Sequence, residues 1–96
     1  MELHLITRAG DPRGWQSVAY ALGLGRRTVV VLAGAAVTES EETIGGLAGS
    51  PVGEEVMPVL AVRADVEERL ATERWATVDY EALLDLILAA EVVVAW

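Results

Sequence analysis

Short β-branched runs alternate along the whole chain with stretches whose apolar residues recur at helical spacing. Leu3–Thr7 reads as a strand, followed by a turn through Gly10, Asp11, Pro12, Arg13 and Gly14. From Trp15 to about Leu24, the residues Trp15, Val18, Ala19 and Leu22 fall at i, i+3, i+4 and i+7, one face of a helix that Gly25 is placed to stop. Thr28–Leu32 is a continuous apolar run, as expected of a strand covered on both faces.

Ser40, Glu41 and Glu42 mark a helix start, but Gly45, Gly46, Gly49 and Pro51 limit that helix to about two turns before a mobile loop. Met57–Val62 resumes the strand pattern. Asp65 then caps a helix running to about Ala71, and Trp75–Val78 is a short strand. Asp79 caps a last helix, Tyr80–Ala90, whose expected buried stripe is Leu83, Leu84, Ile87 and Leu88. Val92–Ala95 is the final strand, and Trp96 follows it.

Strands alternating with helices imply parallel neighbours joined by right-handed crossovers. The expected fold class is therefore α/β: a single three-layer, flavodoxin-like domain with a five-stranded, mainly parallel sheet. Ninety-six residues match one domain, and 53% hydrophobic with 23% charged residues describes a foldable globular chain. A core of this size gives modest stability alone, so further burial through oligomerisation would help.

Charge and residue inventory narrow the chemistry. A net charge of −8 disfavours direct contact with nucleic acid, whose affinity comes largely from Lys and Arg on phosphates. The chain contains no Lys, which removes Schiff-base chemistry and a phosphate-loop lysine. It contains no Cys, which removes disulfides, a thiolate nucleophile, a persulfide carrier and zinc–thiolate sites. No run reaches the ~18–20 apolar residues of a membrane span, and the N-terminus lacks the pattern of a signal peptide, so a soluble cytoplasmic protein is expected.

Sites in open α/β sheets lie beyond the carboxyl ends of the strands. The loops there begin at Thr7-Arg8, Ala33-Gly34, Arg63-Ala64 and Asp79, and none carries a complete catalytic set. The first loop is loosely glycine-rich but matches neither dinucleotide nor phosphate-loop spacing. Arg8 could clamp a small anion, although a structural ion pair or interface contact explains it more simply. His4, the one histidine, lies mid-strand between leucines and reads as structural; Asp65 and Asp79 are explained as helix caps. No metal-ligand spacing is present, and no cofactor is expected. Of the three tryptophans, Trp96 is the most informative: it is either an interface anchor or the residue that closes its own core.

The segments VLAVRADVEERL and VDYEALLDLILAAEVVVAW resemble the DsrH/TusB family of sulfur-relay subunits. Ala61, Asp65, Arg69, Asp79, Tyr80 and Trp96 fall in order on that family's pattern of strand, helix start, strand end, helix and terminal Trp. Arg8 and Gly34 match more loosely, after the first and second strands. Ala33 stands where the family often has Asp, and Leu70 where glycine usually follows the arginine. The resemblance implies one DsrH/TusB-like domain over residues 1–96 and assembly with DsrE/TusD-like and DsrF/TusC-like subunits. The function it implies is persulfide relay towards wobble-uridine thiolation of tRNA or in sulfur oxidation. In such complexes a cysteine of the DsrE/TusD partner accepts the sulfur; this chain has none, so a non-catalytic role is expected. The candidate interface or binding residues are Arg8, Gly34, Asp65, Arg69, Tyr80 and Trp96. The alternatives are a self-associating structural or regulatory module and a small-ligand binder of the same fold. Neither direct nucleic-acid contact nor a membrane partner is expected.

Overall fold

The strand β1 (Glu2–Ile6) pairs in parallel with β2 (Thr28–Leu32), Glu2 opposite Thr28 and Ile6 opposite Leu32. In this computed structural model, residues 1–49, 52–53, 57–69 and 75–96 are described. The remaining elements are α1 (Pro12–Gly23), a 3-10 turn (Gly34–Thr38), α2 (Glu41–Ala48), β3 (Val59–Val62), α3 (Arg63–Glu68), β4 (Ala76–Val78), α4 (Tyr80–Ala89) and β5 (Val92–Ala95). The sheet is parallel throughout, in the order β4-β3-β2-β1-β5. The expected three-layer, flavodoxin-like α/β arrangement is present, with its own strand order; flavodoxin itself runs 2-1-3-4-5.

That order decides where the helices go. The chain steps from β1 to β4 in one direction, and right-handed crossovers place every helix of that walk on the same face. Accordingly α1 packs on α2, and α3 packs on the 3-10 turn. The return from β4 to the far side of β1 runs the other way, so α4 alone covers the opposite face. Ile6, Trp15, Val30, Leu32, Ile44 and Met57 centre the first layer of core; Leu3, Val31 and Val62 centre the second.

The helix ends follow local chemistry. Asp11 caps α1 by accepting from the Arg13 N–H at 3.0 Å, with Pro12 as first helical residue. The helix thus begins three residues before the expected Trp15: the segment read as a turn is a cap followed by a helical turn. Gly25, with φ +73°, closes its far end as expected. Ser40 caps the two-turn α2, donated to by the Thr43 N–H at 3.1 Å, and Asp79 caps α4 by accepting from the Ala82 N–H at 2.7 Å. The loop expected after α2 and the expected end of the third helix fall largely on residues outside those described.

Two expectations need correction. Asp65 does not cap α3; Val62 holds that position, and Asp65 lies within the first turn. The stripe expected to be buried on α4 is split, since Leu84 is 54% and Leu88 75% exposed while Leu83, Leu86, Ile87 and Ala90 pack on the sheet. One hundred degrees per residue separates these two rows around the helix; the sequence spacing i, i+4 alone could not tell which row met the sheet.

Candidate functional site

The carboxyl ends of the strands are laced together by backbone groups and two carboxylates. Gly34, held at φ +54° where any Cβ would approach the Thr7 carbonyl at 3.2 Å, donates its N–H to Asp65 Oδ2 at 2.9 Å. Asp65 therefore ties the end of β2 to the start of α3, and this is why its carboxylate is not at a cap. Glu39 links the loop after β1 to the residue that precedes β4. Its carboxylate accepts the Gly10 N–H, and its carbonyl accepts the Trp75 indole N–H at 3.2 Å.

Trp96 extends the β1–β5 ladder. Its N–H donates to the Leu5 carbonyl at 2.8 Å, and its carbonyl accepts the Thr7 N–H at 2.7 Å. Its side chain lies on the first turn of α1: a Cβ at Gly14 would stand 3.1 Å from the Trp96 Cβ and 2.8 Å from Ile6 Cδ1. The indole closes its own core at that point and stays 40% exposed on its other side.

Of the candidate residues, the structure thus joins Gly34 to Asp65 and docks Trp96 on Gly14. Arg8 is exposed after β1, Arg69 is exposed at the end of α3, and Tyr80 is exposed at the start of α4. Among the described residues, no hydrogen bond or ion pair links these three to Gly34 or Asp65. The Asp11 carboxylate, near Arg8, is held at a pKa of about 2 by its hydrogen bonds from the Arg13 side chain and backbone. No group of three or more potential metal ligands occurs among the described residues. What the described strand ends offer is a polar rim of backbone and carboxylate hydrogen bonds.

At the opposite end of the sheet, His4 is fully buried in mid-strand, as expected of a structural histidine. Its Nε2 lies 3.7 Å from Glu2 Oε1, which is also 3.7 Å from Arg26 Nη1. Burial pushes the His4 pKa below 6.5, against the opposing pull of Glu2. Sequence reasoning missed this grouping because Arg26 meets Glu2 only through the β1–β2 pairing.

The less anticipated surface is apolar. Tyr80, Leu84 and Leu88 form an exposed row along α4, and Val92 and Val93 are exposed on β5. Ala82, Leu86 and Ala89 share a groove with Leu60 and Val78 on the β3–β4 side. The Tyr80–Leu84–Leu88 row occupies the opposite flank of the helix and so is turned to the side of β1 and β5. The i, i+4, i+8 spacing was the available signal. No helix among the described residues is long and apolar enough to cross a membrane. No family model matches the chain, and no curated protein matches it.

Proposed function

We propose that the chain is a non-catalytic subunit of a sulfur-relay assembly of the DsrEFH/TusBCD kind, acting by surface contact with cysteine-bearing relatives of the same fold. The observation that carries the assembling role is the incomplete cover of the α4 face. One helix without a buried residue shields it; Leu84 and Leu88 on that helix and Val93 on β5 stay exposed. Large apolar side chains left exposed on one face point to an interaction site. The ordered match of Ala61, Asp65, Arg69, Asp79, Tyr80 and Trp96 to the family pattern supports the sulfur-relay setting, and the lack of cysteine supports a role beside the sulfur carrier rather than as the carrier.

Affinity purification of the tagged chain from its native cells tests this reading. Stoichiometric recovery of small α/β subunits, at least one carrying an alkylatable cysteine, is expected. Recovery of the chain with no cysteine-bearing subunit attached rejects it. Whether the assembly serves tRNA thiolation or sulfur oxidation is then read from wobble-uridine thiolation in a deletion strain, which falls only in the first case.

A further inference from the structure

The amino ends of β1, β2 and β5 border an open cavity of about 470 Å3, lined by Met1, Glu2, Arg26, Arg27, Glu91 and Val92. It lies at the other end of the sheet from the strand ends where ligands of α/β folds ordinarily bind. The sulfur-relay reading makes no use of it.

One wall of the cavity is a buried charge without hydrogen bonds. Glu2 keeps 9% of its exposure, and its Oε2 has no partner among the described residues. Its Oε1 has His4 Nε2 and Arg26 Nη1 each at 3.7 Å, beyond hydrogen-bond reach. Burial pushes the His4 pKa down, so at neutral pH the imidazole brings no positive charge to this carboxylate. An ionised carboxylate accepts several N–H bonds, and a buried one left without them is costly. Glu2 is therefore short of an N–H donor, and the cavity is the side from which one can arrive. Arg26, half-exposed and loosely placed, is the side chain that has to give way.

The rim has the opposite requirement. Arg26 and Arg27 are exposed and form the one adjacent pair of basic residues in the chain. Arg27 has no ion pair among the described residues. Guanidinium groups side by side suit a carboxylate. Glu91 is engaged by the Met1 amino group at 3.5 Å, which leaves Glu2 as the carboxylate open to a ligand. A simple anion would meet the arginines but be repelled by Glu2; a simple cation would meet Glu2 but be repelled by the arginines. A molecule carrying both charges meets both demands. Val92 adds an exposed apolar surface beside them.

We infer that this cavity binds a small zwitterion of amino-acid type with an apolar side chain: the ammonium on Glu2, the carboxylate on Arg26 and Arg27, the side chain against Val92. Arg26 turns from Glu2 to the ligand carboxylate, and the ammonium takes the place it leaves. Charge within the site stays balanced through the exchange, which neither half of such a molecule achieves alone. The site draws on neither the family resemblance nor the α4 surface, so it and the sulfur-relay reading stand or fall separately.

L-leucine is the probe, titrated at neutral pH into the isotopically labelled, untagged chain and followed by amide resonances. Saturable shifts at Glu2, Arg26, Arg27 and Val92 in the millimolar range or below are expected. Isocaproate lacks only the amine and isoamylamine only the carboxylate. Each is expected to bind at least about tenfold more weakly, the equivalent of one charge-assisted contact. Glu2→Gln and Arg27→Gln should each weaken leucine by a similar factor, with the fold checked by far-UV circular dichroism. Arg27 is exposed, so its variant keeps the test open if Glu2→Gln fails to fold. Arg8→Gln, at the other end of the sheet, should leave binding unchanged. Absence of a saturable shift with leucine, equal binding of either half-molecule, or undiminished binding by folded Arg27→Gln overturns the inference.

Discussion

On the α1 face, three helices and a 3-10 turn converge on Trp15, Ile44 and Met57, all fully buried. On the α4 face, one helix covers Leu3, Val31 and Val62 and contributes no buried residue of its own. Both faces are made by the same strands, whose side chains alternate between them, so strand sequence does not explain the difference. The path of the chain does: three crossovers in one direction and a single return leave one layer complete and the other partial. Stability is therefore concentrated on the first face, and the second keeps Leu84 and Leu88 exposed.

The sharpest way to break this contrast is to remove bulk from the crowded face. Trp15→Ala should cost about 3–5 kcal/mol, since the surrounding helices cannot collapse onto the space left behind. For a domain of this size that is a large share of the total, and denaturant unfolding at neutral pH should show a strongly lowered midpoint or no cooperative transition.

A second, intermediate effect is set by pH on the same face. His4 is buried and its pKa lies below 6.5, so at mild acidity the unfolded chain takes up a proton that the folded chain excludes. Stability should be unaffected by this group above pH 6.5 and should decline as pH falls below it towards the folded pKa. Thermal melts at pH 8 and pH 5.5 should show the loss in the wild type and a smaller loss in His4→Leu. An equal drop in both proteins would assign the acid sensitivity to carboxylates instead.

The smallest effect belongs to the open face. Leu88→Ser, at a position 75% exposed, should alter the stability of the monomer by no more than about 0.5 kcal/mol in either direction. A destabilisation well above that, measured under conditions where the chain is monomeric, would show that the α4 row contributes to the monomer core after all.

Much of the architecture was legible in the residues because local signals agreed. Asp79 before an apolar stripe, Ser40 before two acids and Gly25 after a periodic run each fix an end of a helix through a specific backbone need. Asp11-Pro12 carried the same sort of signal but was absorbed into a glycine-rich turn, although Gly14 is helical and is required by the approach of Ile6 and Trp96. The role of Asp65 was not legible. Its partner, the Gly34 N–H, lies 31 residues away and meets it only through the β2–β3 pairing. The exposed row on α4 was misread for a related reason: a helix carrying Leu83, Leu84, Leu86, Ile87 and Leu88 offers two apolar rows, and the topology decides which of them meets the sheet. Of the six candidate residues, spacing placed Gly34 and Trp96 at strand ends, and long-range pairing supplied what they touch.

The pairing of β1 with β5 carries a kinetic consequence. Glu2 finds one neighbour in Thr28, early in the chain, and the other in Val92, almost at its far end. As the polypeptide leaves the ribosome, β1 through β4 can assemble in sequence by local steps. The outer edge of β1 stays unprotected until the last strand emerges. Contacts of such long span are slow to form because the intervening loop must first be closed. Insertion of β5, with Trp96 settling on Gly14, is thus the natural final step of folding, and any partner that captured the bare β1 edge earlier would be competing with the chain's own last strand.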